Sequence, residues 1–369
     1  MSNNIPELYV GLDVSEKSIE IFALRVDDPN GKSGRIANDR DQLESFCAGF
    51  KQPQKILMAL ETGTHSPWIS ELLLRHGFQV AVGNARKLAA VWKSQDKNDR
   101  NDAEMLARLA RNDLKLFAPI QHQNAESRAD LAVIKLRNTV SECRTKMMNA
   151  VRGTLRSFGA DDEAVTPENF SKEIGKVIPK ALRPAMKGIL KEIRMLQLTI
   201  RDYDKLVEKL CRKYPDTEKV GQITGVGPLT ALSFILILGQ PERFNGGGGV
   251  CKYLGLTPKR DQSGEVDKQL GITKTGNALM RKLLAQSANY IMGRGPACDL
   301  RRAGERIASR GGKIARRKAK IAVARRTAKL MFRLWKTGEK YDPDHKANSK
   351  TTRKQELADR PRVHGLAAV

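Results

Sequence analysis

Leu8-Tyr9-Val10-Gly11-Leu12-Asp13 is the stretch on which the fold reading turns. A short apolar run rich in Tyr and Val favours a strand, and this one stops at a carboxylate. Outward from it, Ile19 to Val26 is a second strand, near enough for a hairpin through Ser15-Glu16-Lys17. Ile56-Leu57-Met58-Ala59-Leu60 is a continuous apolar run, as a strand buried on both faces requires, and it too ends in an acid, Glu61. Pro67 opens a helix over Trp68 to Arg75, and Phe78 to Val82 is another strand. Asp99 and Asp102 stand where a helical pattern through Ala103 to Leu109 begins. Residues 1 to about 118 therefore read as α/β.

This order places Asp13 on the first strand, Glu61 at the end of a central strand, and Asp99 and Asp102 at a helix start. In a ribonuclease-H-like fold, carboxylates at those positions converge on Mg²⁺, a hard cation that takes one or two carboxylates and keeps sites for water and phosphate. The spacing Asp99-x-x-Asp102 sets both on one helix face. Each acid alone is more often a helix cap or a strand end. A sugar-kinase or actin-like fold also begins with a Gly-x-Asp strand and a hairpin. It needs a later phosphate loop, and the run Gly246 to Gly249 lacks a Lys-Ser/Thr ending.

From about Glu126 to Phe158 the pattern turns helical, with Val133, Leu136, Val140, Cys143, Met147 and Ala150 alternating at three and four. Leu182, Met186, Ile189, Ile193, Leu196, Ile200, Tyr203, Val207 and Leu210 continue as a coiled-coil seam. The polar stretch Gly159 to Lys180 reads as the connection of an antiparallel helical hairpin. An arm of this kind in a basic chain serves dimerisation or spans nucleic acid. The plainer alternative is a pair of helices packed on their own domain.

Ile223-Thr224-Gly225-Val226-Gly227-Pro228 then opens an apolar helix and is similar to a helix-hairpin-helix element, in which Gly225 and Gly227 let backbone amides approach a phosphate. Leu254-Gly255-Leu256-Thr257-Pro258, running on through Lys259, Arg260 and Asp261, reads as a packed segment, a turn and a loop that carries Ser263. Lys268, Lys274-Thr275-Gly276-Asn277 and an amphipathic helix follow. Residues 301 to 340 hold fifteen Lys/Arg against two Glu, around an apolar stripe of Ile314, Ile321, Ala324, Ala328, Met331 and Trp335, and read as one basic helix. Such a helix presents a cationic face suited to phosphates, with Arg316, Arg317, Arg325 and Arg326 as contacts beside Lys259, Arg260, Lys268 and Lys274. The polar segment 346–369 reads as a disordered tail.

The formal charge of +25 over 369 residues points to a polyanionic partner. No apolar run reaches the ~18 residues of a spanning helix, so a membrane is not expected. Nor does the N-terminus have an export pattern, which points to the cytoplasm and, for a basic chain, the nucleoid. Five scattered cysteines with no Cys-x-x-Cys pair support neither a zinc site nor a disulfide framework.

Taken together, the chain resembles the IS110-family transposases, the RNA-guided bridge recombinases. The carriers are Gly-Leu-Asp at 11 to 13, Glu-Thr-Gly-Thr at 61 to 64, Asn98-Asp99-Arg100-Asn101-Asp102-Ala103, the Thr-Gly-Val-Gly element, Arg243-Phe244, Gly-Leu-Thr-Pro at 255 to 258, Ser263-Gly264 and Lys274-Thr275-Gly276-Asn277. The tetraglycine Gly246 to Gly249 departs from the pattern and reads against a helix there.

The resemblance implies a RuvC-like domain over 1–120, a coiled-coil linker arm over 121–215, and a mainly α transposase domain over 216–345. It further implies an acidic quartet of Asp13, Glu61, Asp99 and Asp102 holding Mg²⁺ (or Mn²⁺), and Ser263 as the nucleophile of a serine–DNA intermediate. The implied partners are double-stranded donor and target DNA, a structured noncoding guide RNA, and further copies of the chain in a tetramer built as a dimer of dimers. Two other functions compete: a RuvC-like junction nuclease that activates water, with Ser263 only a turn residue, and a non-catalytic nucleic-acid scaffold.

Overall fold

The computed structural model describes residues 5–28, 30–85, 87–88, 99–117, 119–160, 165–263 and 266–345; for 99–100, 260–263 and 266–269 only the backbone course is described. Asn98, Gly264 and the tail expected over 346–369 lie outside the described residues. The chain divides into two compact units between Asn124 and Ala125.

The first unit is a mixed α/β sheet. Its strands are β1 (Leu8–Val14), β2 (Ser18–Arg25), β3 (Lys32–Ala37), β4 (Ile56–Glu61), β5 (Gln79–Gly83) and β6 (Pro119–Ile120). Its helices are α1 (Arg40–Ala48), α2 (Ser66–Arg75), α3 (Asp99–Asn112) and the short α4 (Leu114–Phe117). The strand order is β3-β2-β1-β4-β5-β6, with β1, β4 and β5 parallel and the remaining pairings antiparallel. Successive side chains of a strand alternate between faces, and the layers follow from that. Val10, Leu12, Met58 and Leu60 pack with Leu43 of α1 and with Ile69, Leu72 and Leu73 of α2. On the other face Tyr9, Leu57 and Ala59 meet Leu106 and Ala110 of α3, while Phe22 and Leu24 meet Ala103 and Ala107. β3 had no sequence signal, because Lys32-Ser-Gly-Arg-Ile-Ala is almost wholly exposed; its place is set by backbone pairing with β2. The sequence reading also missed α1, whose start is capped by Asp39 accepting from the Gln42 amide at 2.9 Å.

The second unit begins with α5 (Ala125–Ser157), α6 (Phe170–Val177) and α7 (Arg183–Lys213). Lys213 pairs with Glu126 at 2.7 Å and with Asp130 at 2.5 Å. Farther along, Arg137 reaches Asp204 at 2.6 Å, and Arg144 donates to Gln197. Ascending residues of α5 thus meet descending residues of α7, and the pair is antiparallel. On α7 the expected seam is present, with Met186, Ile193, Ile200 and Val207 buried. On α5 it is displaced by one position. Ile134, Met148, Val151 and Leu155 are buried, whereas Leu136 and Cys143 of the expected series are exposed. A shift of one residue turns a helix by about 100°, so the expected row lies beside the seam rather than in it. The connection, expected to be polar chain alone, contains α6, whose Phe170 and Ile174 join Met148, Leu155, Met186 and Ile193 in one core.

The remainder comprises α8 (Asp216–Gly221), α9 (Pro228–Leu238), α10 (Gly247–Tyr253), β7 (Pro258–Ser263), β8 (Val266–Ile272), α11 (Ala278–Gly293), α12 (Asp299–Ala308) and α13 (Gly312–Thr337). The stretch 301–340, expected as one helix, is split between α12 and α13 at the positive-φ glycines Gly311 and Gly312, and Ile314 of the expected stripe is exposed. Every residue of α9 from Thr230 to Leu238 is buried, and the other elements assemble around it. Three of the four glycines, Gly247 to Gly249, open a helix after all, and Gly246 precedes it. A Cβ on Gly247 would lie 3.1–3.2 Å from Lys329, so glycine lets α10 sit close on α13 and offsets its poor helix propensity. Among the described residues no helix is long and apolar enough to cross a membrane.

Candidate active site

Asp13 and Glu61 sit at the carboxyl ends of neighbouring parallel strands, one step beyond the Leu12–Leu60 pair. By the alternation that directs Tyr9, Leu57 and Ala59 to α3, both acids belong to the α3 face of the sheet. Gly11 sets how closely α3 can approach. A Cβ there would stand 1.9 Å from the Ala103 carbonyl oxygen and 2.7 Å from the Ala107 amide nitrogen. Ala103 therefore rests on Gly11, while Leu106 and Ala110, farther along, pack with Leu57 and Tyr9 nearer the strand starts. The helix thus runs back along the sheet, with its first turn toward the strand ends that carry Asp13 and Glu61. Asp102 lies next to Ala103, half-buried, and Asp99 is the first residue of α3; the Asp99 side chain is outside the described residues. Among the described residues, no three acidic, His or Cys side chains are gathered tightly enough to hold a metal. The donor set does suit a hard divalent cation, since carboxylates in this number leave room for water and phosphate oxygens.

Ser263 is the last residue of β7 and pairs with Val266 across a two-stranded hairpin, so the segment expected as a loop is strand up to the serine. The hairpin is anchored at its stem. Gly255 (φ +66°) and Gly276 interlock: a Cβ on Gly276 would lie 2.0 Å from the Tyr253 carbonyl oxygen, and one on Gly255 would lie 2.6 Å from the Thr275 amide. The Lys274 amide donates to the Gly255 carbonyl at 3.1 Å, and the Thr273 amide to the Thr257 carbonyl at 2.9 Å. Arg281 ties both segments by donating to the Leu254 carbonyl at 3.2 Å and the Gly276 carbonyl at 2.5 Å, and Asn277 caps α11 through the Met280 amide. From Pro258, five residues of extended chain place Ser263 about 17 Å from this stem.

Both regions fall within matches to known families. Residues 10–159 match the family model of the IS110 DEDD transposases, and residues 217–299 match that of the IS116/IS110/IS902 transposases. The chain belongs to the IS110 family of transposases. It is 30% identical over 208 residues to the transposase for insertion sequence element IS1111A of Coxiella burnetii, a match that spans 54% of this chain and 56% of that relative. Against transposase y4pF/y4sB of Sinorhizobium fredii the identity is 26%, over 90% of this chain and 85% of the relative. For a family 20 transposase of Pseudomonas aeruginosa it is 23%, over 90% and 98%.

In this IS110-family chain the cations named from sequence fall into separate groups. Lys259 and Lys274 are exposed near the hairpin stem, and Lys274 has a left-handed backbone (φ +54°). Arg260 and Lys268 are on the hairpin strands, Arg260 opposite Gln269 and Lys268 opposite Asp261; their side chains are outside the described residues. Arg316, Arg317 and Arg326 are exposed on α13, whereas Arg325 is half-buried there. Gly225 (φ +94°) has a packing role, since a Cβ would press on Tyr290, Ile291 and Ser287 at 3.0–3.3 Å; nothing crowds Gly227, the residue before α9.

Sequence reasoning missed two groups beside the acids. Glu20 lies directly across from Asp13 in the β1–β2 register and pairs with Arg35 at 2.9 Å. Only that register could have revealed it. Ser66, fully buried, lies 2.9 Å from the Gly63 carbonyl, accepts from the Gly63 amide at 3.1 Å, and is 3.0 Å from Nε2 of His122. These contacts brace the loop that follows Glu61. Cysteine chemistry is not favoured in this unit, where burial and Glu44 push the Cys47 thiol up to about 11.

Proposed function

We propose that the chain is a DNA transposase that cuts and rejoins strands through Ser263, assisted by a divalent cation held by Asp13, Glu61, Asp99 and Asp102. The observation that carries the acidic half is the seating of Ala103 on Gly11, which sets the first turn of α3 over the strand ends bearing Asp13 and Glu61. The strand order, three antiparallel strands followed by two parallel ones, supports a RuvC-like reading of this unit. When bound, Mg²⁺ or Mn²⁺ supplies Lewis-acid polarisation of a phosphate oxygen.

The chain's own residues would do the rest. The Ser263 hydroxyl attacks the scissile phosphorus; an Oγ–P bond forms, a P–O bond of the DNA breaks, and the serine proton ends on the departing strand's hydroxyl. The energy of the phosphodiester is kept in the serine linkage, so a second strand's hydroxyl can reverse the step without ATP. Lys259 and Lys274, exposed near the stem, would offset charge on the DNA backbone. Family membership extends the proposal to a guide RNA that selects donor and target DNA, and to a tetramer built as a dimer of dimers in the bacterial cytoplasm.

The test is a gel assay for a covalent protein–DNA adduct, using the full chain with flanking RNA and cognate DNA ends. A protease-sensitive adduct is expected for wild type with Mg²⁺, and none for Ser263→Ala or Asp13→Ala. Cleavage that survives Ser263→Ala yet requires Asp13 would replace this mechanism with hydrolysis by water.

A further inference from the structure

We propose that the cleft between α12 and α13 seats an unpaired nucleic-acid strand by its phosphates. The nature of the ligand rests on the transposase reading; its location rests on the cleft itself. The cleft holds about 950 Å³ and draws cations from both walls, Arg302 and Arg306 from α12 and Arg326, Lys329 and Arg333 from α13; Asp299 and, from the segment after α13, Asp342 line it as well. Half-buried Leu330 supplies apolar surface between them, with the buried Leu300 and Ala303 behind it.

The cations fall into two sets. Arg302 is matched by Asp299 at 2.9 Å and Asp344 at 2.5 Å, and these carboxylates hold its guanidinium firmly protonated. Arg333 lies 3.5 Å from Glu339. The acids after α13 are held over this end of the cleft, where the Asp299 amide donates to the Pro343 carbonyl and the Tyr341 amide to Gln222, both at 2.8 Å. Arg306, Arg326 and Lys329 are exposed, and their side chains have no hydrogen-bond or ion-pair partner among the described residues. Three like charges held around one concavity repel one another, and an anion lying between them removes that cost.

The shape selects the form of the polyanion. Cations on facing walls with apolar surface between them can bracket a single backbone while sugars and bases lie on the floor. A duplex is a stiff convex rod and would lie across an outward face, such as the one carrying Arg316 and Arg317. Sequence alone did not separate these sets, since α13 is basic on several sides; the pairing with α12 singles out Arg306, Arg326 and Lys329.

The experiment measures binding of the full chain to labelled single-stranded DNA, single-stranded RNA and duplex DNA across a salt series. R306Q/R326Q/K329Q is compared with wild type and with K187Q/K191Q/R194Q, a charge-matched change on α7. The cleft variant is expected to bind single strands roughly 10- to 100-fold more weakly. Its slope of log affinity against log salt should fall by about 2, for three phosphate contacts at ~0.7 each. The charge-retaining R306K/R326K/K329R should keep the wild-type slope, which a folding defect would not allow. The RNA and DNA arms show which strand the cleft prefers. Wild-type-like strand binding by the cleft variant, or equal losses for strand and duplex, overturns the proposal and leaves the transposase reading intact. Wild type that binds no nucleic acid overturns that reading itself.

Discussion

Gly11 and Gly276 are both glycine because another backbone lies where a Cβ would be, yet they hold different kinds of structure. Around Gly11, β1 and β4 are packed on both faces, and α3 is pressed onto the sheet by Ala103, Leu106 and Ala107. The placement of Asp13 and Glu61 there is a by-product of a large core, fixed by the pleat and by one close helix contact. Around Gly276 the support is local. Among the described residues β7 and β8 pack mainly on each other, and the hairpin is held from its stem by the interlock with Gly255 and by Arg281. A carboxylate cluster gains from rigidity on every side, because its members must keep mutual distances. Under the mechanism proposed above, Ser263 at the end of β7 takes its position from that stem alone.

The comparison breaks first at Gly11. Gly11→Val should destabilise the first unit by at least ~3 kcal/mol, since the added atoms fall on helix backbone that has nowhere to move. Thermal denaturation should show that unit melting early while the second keeps its transition. A stable Gly11→Val protein would mean that α3 is not seated on β1 as described. Gly276→Ala adds one carbon rather than three and should cost less, about 1–3 kcal/mol, that carbon meeting the backbone of Tyr253 and of the buried Leu254. Adduct formation through Ser263 should fall far more than stability does, and a variant with full activity would show that the stem does not position the serine.

Much of the sheet was legible because burial wrote it into the sequence. Val10, Leu12, Ile19, Met58 and Leu60 had to be apolar, and the strands could be read from them. β3 was not legible, since an exposed edge strand owes its position to backbone pairing and carries no side-chain code. The same physics hid Glu20, whose nearness to Asp13 exists only in the β1–β2 register. On α5 two apolar rows run side by side, and only the partner helix decides which one is the seam; Arg137 and Arg144, which a pattern of apolar residues passes over, are among the side chains that reach α7. Gly255 and Gly276 were visible as motifs, but their reason, a backbone interlock between segments some twenty residues apart, needed coordinates.

The smallest effect concerns the foot of the helical pair, which is held by charge where the sheet end and the hairpin stem are held by backbone contact. Asp130 accepts from the Tyr214 hydroxyl at 2.7 Å and from Lys213 at 2.5 Å. Burial pushes its carboxyl up, but the hydrogen bonds from Lys213 and Tyr214 outweigh this and hold it below the ordinary value. A carboxyl lowered in the folded state contributes stability above its unfolded pKa of ~3.9, and that contribution is lost as pH falls through the folded value. Asp130→Asn should therefore lower the melting temperature of the second unit by about 2–4 °C at pH 7, and the two proteins should melt together once the pH is well below the folded value. The transition of the first unit should be identical in both proteins at every pH. A difference between wild type and variant that persisted unchanged into acid would show that Asp130 acts through packing rather than charge, and the foot of the arm would then belong with the glycine contacts in how it is held.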